Sequence, residues 1–155
     1  MSIDIGFSAP DFTLPVDGGG QATLSAFRGR PVVLYFYPKD DTSGCTKEAC
    51  AFRDLIDEFK LLQVEIIGVS KDGVVSHDKF KIKHSLPFLL ASDKDSDVVE
   101  RYGFWVQKSM YGRVYMGIER ATVLIDAEGV IRQIWRKVKI TGHVEQVLKA
   151  VRALS

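Results

Sequence analysis

Cysteine is nearly absent from this chain, with two among 155 residues, at positions 45 and 50. A framework of several disulfides is thereby excluded. A chain of this length buries roughly two thirds of the surface its unfolded form exposes, which is enough to fold without a covalent staple. Histidine is also scarce. His77, His84 and His143 lie apart from one another and from the cysteines without metal-ligand spacing, so no metal site and no bound cofactor is expected. Charge of one sign is missing: 21 Lys and Arg stand against 20 Asp and Glu, a formal +1. That balance gives no electrostatic basis for a nucleic-acid partner or a membrane surface. No apolar run approaches the roughly 20 residues that cross a bilayer, and the opening Met-Ser-Ile-Asp has neither a basic nor an apolar leader character. A cytoplasmic protein is therefore expected. There is no internal repeat, low-complexity tract or linker, so residues 1–155 are expected to form one domain.

What is present is the composition of an ordinary globular protein, with 46% hydrophobic and 26% charged residues. Two short β-like runs, Asp11-Phe-Thr-Leu and Ala22-Thr-Leu, flank Gly18, Gly19 and Gly20 and predict an N-terminal hairpin. Val32-Val-Leu-Tyr-Phe-Tyr is an uninterrupted apolar run ended by Pro38, as expected of a strand covered on both faces. Cys45, Ala49, Phe52, Leu55, Ile56, Phe59 and Leu62 recur at spacings of three and four, with Leu55 and Ile56 adjacent, and predict a helix with Cys45 on its buried stripe. Cys50 falls with Arg53, Asp54 and Asp57 on the polar side. Thr42 or Ser43 is placed to cap this helix.

A second strand is expected over 64–70, a helix over 72–84 stopped before Pro87, a third strand over 88–91 and a short helix near 96–102. The aromatic, glycine-rich segment 103–117 shows little periodicity and reads as a long loop, whose Trp105, Tyr111 and Tyr115 either line a pocket or pack the segment, packing being the favoured reading. Residues 121–126 and 130–135 flank Ala127-Glu-Gly as a hairpin, and Val144, Val147, Leu148, Val151 and Leu154 mark a closing helix. A strand-helix-strand half joined to a hairpin-helix half is the thioredoxin-like arrangement. The expected fold is thus α/β, with an N-terminal β-hairpin extension and a central mixed sheet flanked by helices.

Both cysteines fall in the stretch 38–50, P-K-D-D-T-S-G-C-T-K-E-A-C, where a strand turns into a helix. A thiol at a helix N-terminus meets the partial positive charge of unpaired N–H groups, which favours thiolate. In an intact helix, positions five apart have Cα atoms roughly 8.6 Å apart. A disulfide requires about 4.4–6.8 Å. If the two cysteines bond, the first turns of the helix must unwind. The plain alternative is a small core hydrophobe at 45 and an inert neighbour at 50.

Pro38-x-x-x-Thr42-x-x-Cys45 matches the peroxiredoxin active-site motif, and Cys50 is placed like the resolving cysteine of the bacterioferritin-comigratory, or peroxiredoxin Q, subfamily. Ala9-Pro-Asp-Phe-Thr-Leu, Met110-Tyr-Gly and Gly117-Ile-Glu-Arg120 extend the resemblance over nearly the whole chain. The resemblance implies that Cys45 is the peroxidatic thiolate, that Cys50 forms a disulfide with it, and that thioredoxin or a similar dithiol reduces that bond. It makes Thr42 a hydrogen-bonding partner of the sulfur and the peroxide, Arg120 the cation of the site, and Pro38 the residue that shapes the pocket. Glu48 either orients Arg120 or is a plain surface charge. With the resolving thiol in the same chain, a monomer is expected.

Three alternatives stand beside this. A disulfide reductase or isomerase uses C-x-x-C, a shorter spacing than the one here. A non-catalytic binding or redox-sensing module leaves the cysteines inert or merely responsive. Acyl transfer requires a histidine that folding brings to Cys45.

Overall fold

The computed structural model describes residues 3–154. The expected N-terminal hairpin pairs β1 (Thr13–Pro15) with β2 (Gln21–Thr23) in antiparallel register, with Leu14 opposite Ala22 and both buried. Gly18 and Gly19 carry the positive φ of its connection, 83° and 92°.

There follow β3 (Val32–Phe36), α1 (Ser43–Asp54), α2 (Ile56–Leu61), β4 (Glu65–Ser70), α3 (Val74–His84), β5 (Leu89–Ser92) and α4 (Val98–Arg101). The chain then runs through β6 (Trp105–Met110), β7 (Arg113–Ile118), β8 (Ala121–Ile125), β9 (Ile131–Trp135) and α5 (His143–Arg152). Among the described residues no helix is long and apolar enough to cross a membrane.

The central sheet has the order β5-β4-β3-β8-β9. β3, β4 and β5 run parallel, and β8 and β9 are antiparallel additions on the other side of β3. All five residues of β3 are buried, as an apolar run without alternation requires. The two-residue period of the strand divides them between two cores. Val32, Leu34 and Phe36 face the hairpin and α4, while Val33 and Tyr35 face α1, α2, α3 and α5. β3 is therefore the spine of both layers, and the cysteine turn leaves from its carboxyl end.

Two segments differ from the sequence expectation. Residues 103–117 are not a loop. β6 and β7 pair antiparallel from Trp105 opposite Ile118 to Met110 opposite Arg113, closed by Tyr111 and Gly112, both at positive φ (53° and 77°). Such a turn matches the right-handed twist of a hairpin. Its residues are largely exposed, so neither face imposes an apolar alternation, and that is why the strands lacked a period. Tyr111, expected to pack this segment, is 97% exposed. The helix expected to continue to Leu62 is broken at Leu55, whose φ of −106° and ψ of 12° end α1 and start α2. The break leaves Phe52 and Phe59 both fully buried with ring centroids 6.0 Å apart.

Tight packing around β3 gives one stability prediction. A Cβ at Gly68, in mid-β4, would lie 2.8 Å from the Tyr35 ring, which is itself stacked on Phe52. Gly68→Ala is expected to cost about 1–3 kcal/mol through forced displacement of that ring, measurable by urea unfolding. An unchanged midpoint would mean that the ring has room to move.

Candidate active site

After β3 the chain passes Tyr37, half-buried Pro38 and exposed Lys39, and reaches Thr42 at the N-cap of α1. The Thr42 hydroxyl does not cap the helix. It turns back and donates its one proton to the Lys39 carbonyl at 2.9 Å and not to the Cys45 sulfur as the resemblance implied, which stiffens the turn and leaves the oxygen lone pairs free to accept. Cys45 lies in the first turn of α1, 1% exposed, with its sulfur directed into the layer between α1 and β3. Cys50, five residues on, is half-buried, and both cysteines are free.

Arg120 enters from the residue just before β8. Its Nη2 donates to Cys45 Sγ at 3.3 Å and its Nη1 to Glu48 Oε1 at 2.7 Å. One guanidinium thus spans the sulfur and the carboxylate with separate nitrogens, a geometry that a planar fork permits and an ammonium does not. Burial works against the Arg120 charge, but Glu48 and Cys45 more than offset it, so its ionisation is held above the ordinary arginine value. Glu48 is fully buried and not a surface charge, which resolves the two possibilities in favour of the ion pair.

The Glu48 carboxyl is pushed up to about 7, chiefly by burial and against the pull of Arg120. Its second oxygen, Oε2, is buried without a hydrogen-bond partner, so half of its acceptor capacity is unsatisfied when charged. Because the native carboxyl holds its proton more tightly than the unfolded one, its contribution to stability is fully present below the ordinary value of 4.5 and is lost as pH rises to about 7. Glu48→Gln removes this titration. Between pH 4.5 and 7.5 the wild type is expected to lose about 3 kcal/mol relative to the variant, read from paired urea unfolding curves. A pH-independent difference would contradict it.

Two further groups were missed by sequence reasoning. Gly44 lets the guanidinium approach: a Cβ there would lie 3.2 Å from Arg120 Nη2 and 3.3 Å from Ile140 Cδ1. Glycine is a poor former of a helix's first turn, and that was the available signal. Lys108, from β6, brings a second cation. Burial and then Arg120 lower its ionisation, while the Cys45 and Glu119 charges pull the other way. Only the long-range pairing of β6 and β7 places it there, so no local pattern announced it.

The histidines stand elsewhere. His77 meets Asp40, His84 meets Asp41, and His143 accepts or donates with Thr122 at 2.8 Å. Burial and then Arg120 push His143 down to about 4, so it is neutral at neutral pH. Among the described residues no imidazole hydrogen-bonds Cys45, which removes the basis for acyl transfer by a Cys–His pair. What stands beside the buried Cys45 sulfur is instead a guanidinium, 3.3 Å away, whose positive charge can stabilise negative charge on the sulfur or on an oxygen next to it.

Comparison with known proteins adds the context. Residues 5–134 match the AhpC/TSA family. Peroxiredoxin Bcp of Bacillus subtilis is 49% identical over 155 residues, covering 100% of this chain and 99% of that one. Peroxiredoxin Bcp of Escherichia coli is 43% identical over 140 residues, 90% of each. Among solved structures, the bacterioferritin comigratory protein of Xanthomonas campestris, studied for alkyl peroxide reduction, superposes with a TM-score of 0.90 at 43% identity and covers 97% of this chain and 98% of its own. A mutant of Xylella fastidiosa PrxQ superposes at 0.92 with 37% identity, covering 97% and 96%.

Proposed function

The chain belongs to the AhpC/TSA family as a peroxiredoxin, a thiol peroxidase of the Bcp and peroxiredoxin Q type, and on that basis we propose that Cys45 is its peroxidatic cysteine and Cys50 its resolving cysteine. The observation that carries this assignment is the Arg120 guanidinium, 3.3 Å from the Cys45 sulfur and fixed by buried Glu48.

The Cys45 thiolate attacks the terminal oxygen of a hydroperoxide. An S–O bond forms, the O–O bond breaks, and its electron pair leaves on the distal oxygen, which takes a proton from solvent to become water or an alcohol. Sulfur is oxidised to a sulfenic acid as the peroxide is reduced. Arg120 neutralises charge that moves from sulfur to the leaving oxygen, and the Thr42 lone pairs accept the hydrogen bond of the incoming peroxide. Pro38 closes the turn above the sulfur without adding an N–H that water would have to satisfy.

Cys50 then attacks the sulfenic sulfur. An S–S bond forms and the departing hydroxide leaves as water after taking a proton. Both cysteines lie within α1, so this step requires its first turns to unwind. Thioredoxin or a similar dithiol reduces the disulfide by exchange and regenerates both thiols. Hydrogen peroxide and organic hydroperoxides are the substrates. The protein acts in the cytoplasm as a monomer, with the 155 residues forming one domain.

The test is hydrogen peroxide consumption coupled to thioredoxin and thioredoxin reductase. Sustained turnover is expected. A peroxide-inert protein that nonetheless reduces disulfides would point to the reductase alternative, and one inert in both assays to a binding module.

A further inference from the structure

The turn that carries the cysteines is held by a second polar cluster that peroxide chemistry does not use. Asp40, almost fully buried, accepts from the Tyr37 hydroxyl on Oδ1 at 2.6 Å and from Ser76 Oγ on Oδ2 at 2.8 Å. The same Oδ2 lies 2.7 Å from His77 Nδ1. The Asp40 amide donates to Asp72 Oδ2 at 2.8 Å, and that oxygen also accepts from Ser70 Oγ at 2.7 Å. On the other side of the ring, His77 Nε2 lies 3.0 Å from the Ala91 carbonyl of β5. His77 is fully buried.

Carboxylate and carbonyl oxygens only accept, so with one on each side both ring nitrogens must donate, and His77 is an imidazolium. The neighbouring Tyr37 hydroxyl is 3.4 Å from Nδ1 and already directs its proton to Asp40. The charged groups facing the ring are Asp40 from the turn and Asp72 after β4, both acids. Tyr37 and Ser76 contribute hydroxyls and β5 a carbonyl. Burial opposes the ring's charge, but Asp40, the Ala91 carbonyl and Asp72 outweigh it and raise its ionisation.

The buried cluster ends at Asp40. The next residue, Asp41, is exposed, takes a left-handed φ of 59°, and is tied to α3 by surface pairs with Lys83 and His84. After it comes exposed Thr42, and then the helix that must unwind.

We propose that the buried His77–Asp40 ion pair is the fixed pivot of the opening step, holding residues 37–40 on the sheet in both redox states while residues 41–50 rearrange. His77 and Asp40 are positioning residues. They set the turn from which Cys45 is presented and confine the motion to its far side. The inference rests on the assignment of Cys45 and Cys50 as a disulfide pair.

Three readouts on the full-length chain test it. In the reduced protein at pH 7.5, nitrogen-15 spectra are expected to show both His77 ring nitrogens protonated, and one bare nitrogen would overturn the proposal. On oxidation by one equivalent of hydrogen peroxide, the Tyr37 and Asp40 amides, bonded to the Val69 carbonyl and the Asp72 carboxylate, are expected to keep their exchange protection within about twofold. The α1 amides up to Cys50 lose theirs by about tenfold or more. Equal loss at residues 37–40 overturns the pivot, whereas failure to form any disulfide refutes the cysteine assignment instead. In stopped-flow, Asp40→Asn is expected to slow peroxide attack about tenfold without slowing disulfide formation from the sulfenic acid. Equal slowing of both steps, or of neither, contradicts a positioning role. If that variant does not fold, the two wild-type readouts decide.

Discussion

Serine at position 45 is expected to abolish peroxide reduction, with the rate falling by about three orders of magnitude or more. The substitution changes one buried atom and leaves Arg120, Glu48 and the turn in place, so the loss is chemical and not structural. A hydroxyl is neutral at pH 7 and cannot be held as an anion by a single guanidinium. Cys50 cannot substitute, because the nitrogen that Arg120 spares from Glu48 is directed at position 45. Cys50→Ser has a different signature. It retains peroxide attack, consumes about one peroxide per chain, and stops as a sulfenic acid that the dithiol reductant does not recycle efficiently. Steady-state and single-turnover assays on the two variants separate the roles. Full turnover by Cys45→Ser would end the assignment.

The second large effect is expected from Arg120→Ala. Removing the guanidinium strips the sulfur of its cation and the leaving oxygen of its counter-charge, and attack is expected to slow by about 10²–10³. The pH–rate profile should move to higher pH, since the thiolate loses its partner. The same change leaves Glu48 buried and alone. Breaking a buried pair in this way typically costs about 3–5 kcal/mol. The cost is expected to be greatest above pH 7, where Glu48 would otherwise be ionised, and smaller below it, where the carboxyl takes up a proton. Arg120→Lys is expected to fall between wild type and alanine, because a single ammonium nitrogen cannot reach Oε1 and Sγ from the two separate positions that the guanidinium nitrogens occupy. A pH–rate profile for Arg120→Ala that coincides with wild type would remove this residue from the site.

How much of this was legible in the sequence depended on distance along the chain. Pro38, Thr42, Cys45 and Cys50 lie within one turn and one helix, so spacing alone placed them together. β3 and the hairpin at residues 121–135 were legible because burial on both faces and a glycine at φ 84° leave local marks. Arg120 could be joined to Cys45 only by resemblance, since β8 reaches β3 through antiparallel pairing across the sheet. Glu48 was ambiguous because a carboxylate in the first turns of a helix is ordinarily solvated, and only a cation arriving from outside the helix makes its burial tolerable. His77 looked isolated for a similar reason: its partners come from the turn and from β5. The β6–β7 hairpin escaped because strands exposed on both faces carry no alternation to read.

The most direct measurement is peptide mass spectrometry of the reduced protein after one equivalent of hydrogen peroxide. A single crosslinked species is expected, with Cys45 joined to Cys50 within one chain and two hydrogens lost, and Cys45→Ser should give no such species. An unmodified protein, or oxidation at Cys50 that leaves Cys45 untouched, would contradict the account.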